Sequence, residues 1–306
     1  MGPTDGRVED LLRGLPDPAE AYLRMLAAAV GDVAGTVTRR GSVDPFELRD
    51  PGYIERTLPA VRLWSKLYFR ADVRGLHHIP AEGPALLVGN HSGGTLIADT
   101  FVFSQALYDH FGPNRVFHQL AHDLVFKLPG LRVLLERYGT VPASPANMRR
   151  ALKRNAALLV YPGGDHETFR PSWESDRVDL AHRTGFLELA LKHDVPIIPV
   201  VSIGGQETAL FLGQGRRFAR ALQLDRLMRL KVFPAVLGPP FGATILDLPI
   251  RFPLPAKISI RVLKPIELRD RLGARPDVEE AYTLVTSTMQ RTLTRLGTER
   301  TLPVIG

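Results

Sequence analysis

The 306-residue chain contains no cysteine. That removes disulfides, thiolate nucleophiles and Cys-ligated metals, and it fits a reducing compartment. No window of about 18 consecutive apolar residues occurs, so no simple transmembrane helix is expected and membrane contact should be peripheral. The first 20 residues carry Asp5, Glu9, Asp10, Asp17 and Glu20 without a long apolar stretch, so no secretory signal is read there. Also missing are a Gly-x-Ser-x-Gly elbow, a P-loop and a Gly-x-Gly-x-x-Gly turn. Their absence argues against serine hydrolysis, nucleotide phosphoryl transfer and dinucleotide chemistry. No internal repeat or low-complexity tract is visible.

What is present is an ordinary globular composition, with 44% apolar and 23% charged residues. The charge balance is basic: 39 Lys and Arg against 32 Asp and Glu give +7. A pI near 9.8 favours anionic partners. Nucleic acid is not expected, because no binding-module signature accompanies the charge. The expected location is the cytoplasm, peripheral on the inner face of the membrane.

Residues 1–52 read as an N-terminal helical extension and linker. Within them, 18–30 predicts a helix with Asp17 as N-cap and Pro18 at its first position. Residues 53–270 read as an α/β domain, and 271–306 as a C-terminal helix and tail, the helix spanning 277–296 with Asp277 as N-cap. Residues 53–70 predict an amphipathic helix with a basic face of Arg56, Arg62, Lys66 and Arg70, kinked or started at Pro59. From residue 72 onward, strand-like runs at 72–76, 85–89, 115–118, 156–161, 196–201 and 257–263 alternate with helix-like runs. The helical runs fall near 96–110, 130–137, 145–155, 185–193 and 216–231. Such alternation implies an α/β fold with a mostly parallel central sheet flanked by helices. The runs at 156–161 and 195–201 are almost wholly apolar, as strands covered on both faces should be. Residues 232–256 are apolar but broken by Pro and Gly, and are expected to line a pocket or touch lipid.

The segment most suited to chemistry is 85–99. An apolar run ends in Asn90-His91, then Ser92, Gly93 and Gly94, then a helical stretch carrying Asp99. His91 is the candidate general base. Asp99 is expected to accept the other ring N–H of His91 and fix its tautomer, as the acid of a Ser-His-Asp triad does. Amides near Gly93 and Gly94, at a helix start, would stabilise an oxyanion. A second constellation is Tyr161-Pro-Gly-Gly-Asp-His-Glu167, which could form a backbone cradle near the His91 loop, with Glu167 and Arg170 holding polar substrate groups; a plain turn is the competing reading. A third is Gly139-Thr140-Val-Pro-Ala-Ser144, followed by Arg149, Arg150, Lys153 and Arg154, which could meet a phosphate or an acidic surface. His118 and His122 are four apart, but Gln119 stands where His-Glu-x-x-His needs Glu, so no metal site is expected.

These blocks resemble the ordered blocks of the glycerolipid and lysophospholipid acyltransferase superfamily. They are Asn90-His91-Ser-Gly-Gly, Gly139-Thr-Val-Pro, Tyr161-Pro-Gly-Gly with Glu167, and Val195-Pro-Ile-Ile-Pro-Val. The branch related to monoacylglycerol and diacylglycerol acyltransferases is most similar. The likeness covers roughly residues 55–270. It implies His91 as base, Asp99 as its orienting acid, and Ser92, Gly93, Gly94, Thr140, Gly163, Gly164, Glu167 and Arg170 in the substrate site. The family pattern His-x4-Asp is not met: its acid position holds Leu96, and Asp99 comes eight after His91. The second block lacks the family's phosphate-binding Arg, which favours a neutral acceptor alcohol.

The resemblance implies an O-acyltransferase that uses acyl-CoA as co-substrate, no other cofactor and a lipid acceptor, without an acyl-enzyme on Ser92. The alternative is a non-catalytic lipid-binding or lipid-transfer protein on the same fold. A hydrolase is a third reading. The basic helix at 54–70 and the apolar segment 232–256 are expected to dock on an anionic bilayer.

Overall fold

The computed structural model describes residues 43–302, apart from 96, 128, 225, 227–231, 246 and 248–250. The helix expected over 18–30, the end of the run expected over 216–231, and Leu96 lie outside the described residues.

Helix α1 (Pro51–Leu67) opens on Asp50, whose side chain accepts from the Tyr53 amide at 2.9 Å. It continues through Pro59 instead of starting there. Pro59 and Glu55 both face solvent, so water can satisfy the carbonyl that proline leaves unpaired. The apolar stripe of α1, including Ile54, Leu58, Val61 and Trp64, is buried in the core. Its exposed positions are Glu55, Arg56, Pro59, Ala60, Lys66 and Leu67, so most of the apolar stripe read from the sequence serves the core.

The main sheet has seven strands: β1 (Asp72–Arg74), β2 (Ala85–Gly89), β3 (Phe117–Ala121), β4 (Thr140–Pro142), β5 (Ala157–Val160), β6 (Ile197–Ile203) and β10 (Ser259–Val262). Their order is β1-β10-β6-β2-β5-β3-β4. Every pair is parallel except β10 against β6. At the centre, Leu86 of β2 is level with Leu158 of β5 and Ile197 of β6. Side chains alternate between two cores, as the strand period requires. Leu87, Leu159 and Ile198 join α1 and α2 (Ala98–Phe111) on one face. Leu86, Val88, Leu158 and Val160 pack on the other with α4 (Pro145–Lys153), α6 (Gly185–His193) and α9 (Val278–Thr298). The shorter helices are α3 (Pro129–Arg137), α5 (Gly164–Thr168), α7 (Arg216–Ala221) and α8 (Leu268–Leu272). Asp277 caps α9, accepting from the amides of Glu279 and Glu280. The mostly parallel α/β architecture expected from the alternating pattern is therefore the one observed.

Residues 210–245 add a small antiparallel sheet, β7 (Leu210–Gly213), β8 (Ala235–Gly238) and β9 (Gly242–Ile245), in that order. Residues 235–245 of the broken apolar run are thus two short strands and their turn. Because β2 and β5 are parallel neighbours, the loops that follow Gly89 and Val160 leave the sheet at the same edge, where open α/β sheets place their sites.

Candidate active site

Strand β2 delivers the chain into the loop 90–95. Asn90 pins the start of that loop to β6: its Nδ2 donates to the Ser202 carbonyl and its Oδ1 accepts from the Ser202 amide, each at 2.8 Å. Gly93 and Gly94 have φ of +97° and +75°, conformations that glycine adopts without strain. At Gly94 a Cβ would also lie 2.4 Å from Asp247 Oδ2.

The imidazole of His91 is stacked on Tyr161, with centroids 4.1 Å apart and planes at 19°. It lines a cavity of about 840 Å³. Burial, and then the Arg170 guanidinium, push its pKa down to about 3, so the ring is neutral near pH 7. Its Nδ1 is buried without a hydrogen-bond partner.

Asp99 does not supply that partner. Its carboxylate accepts from Ser92 Oγ at 3.0 Å and from the Thr100 amide at 2.7 Å. Burial pushes its pKa up to about 7, against those hydrogen bonds. The longer spacing to Asp99 therefore turns the acid onto the neighbouring serine, and the expected His91–Asp99 hydrogen bond is not formed in this structure.

The loop's main chain is held at seven polar atoms between His91 and Thr95. Glu167 Oε2 accepts from the His91 amide at 2.8 Å, and Arg170 Nη2 donates to the His91 carbonyl at 3.1 Å. Gln206 Oε1 accepts from the Gly93 amide at 3.2 Å. The Gly94 amide donates to the Thr168 carbonyl at 3.2 Å, and Thr168 Oγ1 donates back to the Gly94 carbonyl at 3.1 Å. Asp247 Oδ2 accepts from the Thr95 amide at 2.7 Å, while Arg251 Nη2 donates to the Gly93 carbonyl at 2.8 Å. The Gly93 and Gly94 amides expected to stabilise an oxyanion are thus already engaged within the protein. Glu167 and Arg170, expected to face substrate, are buried and grip the backbone that carries His91. Gly163 serves the same grip, because a Cβ there would stand 2.5 Å from Glu167 Oε2.

Of the residues expected in the site, His91, Gly94 and Gly164 line the large cavity. Ser92, Gly93, Asp99, Gly163, Glu167 and Arg170 lie behind it. Thr140 accepts from Gln119 Nε2 at 2.8 Å and borders a separate space of about 30 Å³. Much of the large cavity's wall is apolar, with Leu124, Val125, Met148, Phe169, Phe186 and Leu189, and Arg149, Arg183 and Lys192 reach it as well. Arg150 and Arg154 instead pair with Asp44. His118 and His122 sit in and just after strand β3, so no helix face joins them; His118 Nδ1 lies 2.9 Å from the Gly139 carbonyl.

Sequence reasoning missed Gln206, Asp247 and Arg251. The last two had a readable signal: one acid and one base, four apart, in a run that is otherwise apolar. They form a 3.0 Å ion pair with 0% and 1% side-chain exposure. Both lie beyond the part of the chain that the family comparison matches.

A family model described as Acyltransferase matches residues 70–203. An uncharacterized protein of Mycobacterium tuberculosis is 30% identical over 278 residues, covering 89% of this chain and 74% of that protein. The human protein named "DGAT1/2-independent enzyme synthesizing storage lipids" is 31% identical over 147 residues, 48% of this chain and 44% of its own length. The crystal structure of the 1-acyl-sn-glycerophosphate (LPA) acyltransferase PlsC from Thermotoga maritima superposes with a TM-score of 0.51 at 17% identity, covering 91% of this chain and 97% of that one. The last likeness is one of fold. With the matched domain, the ordered sequence blocks and the histidine at the end of a central parallel strand, the chain belongs to the glycerolipid acyltransferase superfamily.

Proposed function

We propose that the protein transfers a fatty acyl group from acyl-CoA to a hydroxyl of a neutral glycerolipid or related lipid alcohol. The observation that carries this reading is the His91 ring in the wall of a large, mainly apolar cavity, neutral near pH 7 and held by a fixed main chain. The volume suits a drug-sized or longer ligand. Arg149, Arg183 and Lys192 at the same cavity suit the phosphates of a CoA donor. A neutral acceptor follows from the second sequence block, which offers no arginine.

The acceptor hydroxyl gives its proton to His91, and its oxygen attacks the thioester carbonyl. The C–S bond breaks, the ester forms, and the CoA thiolate leaves and takes up the proton from His91. General-base help of this kind is typically worth ~10²–10⁴-fold. Asp99 acts through Ser92 as a positioning residue for the loop, and Glu167, Arg170 and Gly163 position His91 from the other side. Gly94 and Gly164 shape the wall, and Thr140 shapes the adjoining small space. The protein works at the inner face of the cytoplasmic membrane, bound peripherally, where its net positive charge meets anionic lipid.

Incubation of purified protein with long-chain acyl-CoA and a panel of glycerolipid alcohols, with thiol release and product mass followed together, tests the reading. Thiol release that requires an acceptor, with an ester product of matching mass, is expected. Thiol release without acceptor would make it a hydrolase. Chain binding without thiol release would make it a lipid carrier.

A further inference from the structure

The outer face of the small sheet is unusual. Phe211, Val236 and Thr244 are level with one another on the inner face and buried. The outer face holds Leu210, Leu237 and Ala243 in one row and Ala235 and Ile245 in the next, with Leu212 also exposed and no polar side chain among them. A solvated antiparallel face is normally polar. Seven of the twelve large apolar side chains exposed among the described residues lie between 210 and 254. Phe241, in the turn joining β8 and β9, is 52% exposed. Helix α7 follows β7 directly and adds Phe218 at 68% exposure, interleaved with exposed Arg216, Arg217 and Arg220. Residues 210–224 contain these three arginines and no acid, and 232–245 contain no charge at all.

We propose that this face, the outer side of β7–β8–β9 together with α7, is the surface by which the protein docks on an anionic bilayer. Apolar side chains mixed with arginine match the boundary between acyl chains and acidic headgroups. A contiguous apolar patch of this kind marks an interaction site. A second copy of the chain fits less well, because a two-fold interface through this face would bury its three arginines where 210–224 and 232–245 offer no acid to pair them. The face also lies close to the site: Phe211, on its inner side, stands 2.9 Å from where a Gly94 Cβ would be, and Gly94 lines the cavity. The proposal rests on the functional reading only in naming the bilayer as the source of acceptor.

Because the chain has no cysteine, a polarity-sensitive fluorophore can be attached singly at Phe218→Cys, Ile245→Cys or, on the exposed side of α1, Glu55→Cys. Each labelled protein is mixed with phosphatidylcholine vesicles with and without 30% phosphatidylglycerol. A blue shift at 218 and 245 but not at 55, larger with the anionic lipid, is expected. R217Q/R220Q should weaken anionic-vesicle binding roughly 10- to 30-fold. F218D/I245D should weaken it by roughly 100-fold or more at any salt, with unchanged circular dichroism. A shift at 55 alone, or no vesicle binding, would overturn the proposal. So would a dimer in sedimentation that F218D/I245D dissociates without altering vesicle binding. Turnover with acceptor in detergent micelles is scored separately. An active protein that ignores vesicles refutes the docking face alone, and an inactive one that docks refutes only the enzymatic reading.

Discussion

Arg251→Met is the most demanding perturbation of the site that leaves the cavity wall untouched. Arg251 is fully buried, pairs with Asp247 at 3.0 Å and donates to the Gly93 carbonyl at 2.8 Å. Burial pushes the Asp247 carboxyl up while Arg251 pulls it back. Removing the cation leaves an acid with 1% exposure facing only neutral donors, a change that costs about 3–5 kcal/mol. Against a typical domain stability of about 5–15 kcal/mol, that is at least about a fifth of the total. Asp247→Asn in the same chain removes the stranded charge but keeps an oxygen for the Thr95 amide. The double variant should therefore recover at least about 1 kcal/mol, a coupling within the usual range for residues in contact. Urea unfolding followed by circular dichroism measures all three proteins. If Arg251→Met lies within about 1 kcal/mol of wild type, or the two changes simply add, the pair is not the tether described here. Activity adds a second readout: a displaced Gly93 carbonyl should lower kcat more than it raises KM, since His91 moves while the apolar lining of Leu124, Met148, Phe186 and Leu189 stays.

Four further outcomes are expected. His91→Ala should lose ~10²–10⁴-fold in kcat with the fold retained by circular dichroism, and normal product formation would end its role as base. Asp99→Asn should reduce turnover through the loop while leaving the acid limb of the pH–rate profile in place; a displaced limb would mean the acid acts on the imidazole directly. Burial holds Glu167 at about 7 instead of 4.5, so the native state keeps an extra proton between those values. Its contribution, on the order of 3 kcal/mol, is present below pH 4.5 and lost as pH rises through 7. Glu167→Gln should flatten that slope in pH-dependent urea midpoints. Gly94→Ala should cost roughly 1–3 kcal/mol for its positive φ alone, with more from the overlap with Asp247; a neutral effect on thermal melting would contradict the loop geometry.

Much of the fold could be read directly from local pattern. The apolar runs at 85–89 and 156–161 became β2 and β5 because a strand covered on both faces has no position for a polar side chain. Asp277 was readable as a cap because its side chain acts within one turn. The basic stretch 53–70 was readable as a helix, but periodicity does not tell a core stripe from a membrane-facing one. Burial of Ile54 and Trp64 settled that.

The sequence alone determined that a histidine ends a buried strand, that two glycines follow it, and that the nearest downstream acid stands at an unfamiliar distance. Those are properties of adjacent residues, and adjacency is what a sequence records. Which atoms meet was decided only in three dimensions: Asp99 on Ser92, Glu167 and Arg170 on the His91 backbone, Asp247 and Arg251 on the glycines. Those contacts join positions up to 158 residues apart, and hydrogen-bond geometry at that separation is set by how the sheet and its neighbours pack.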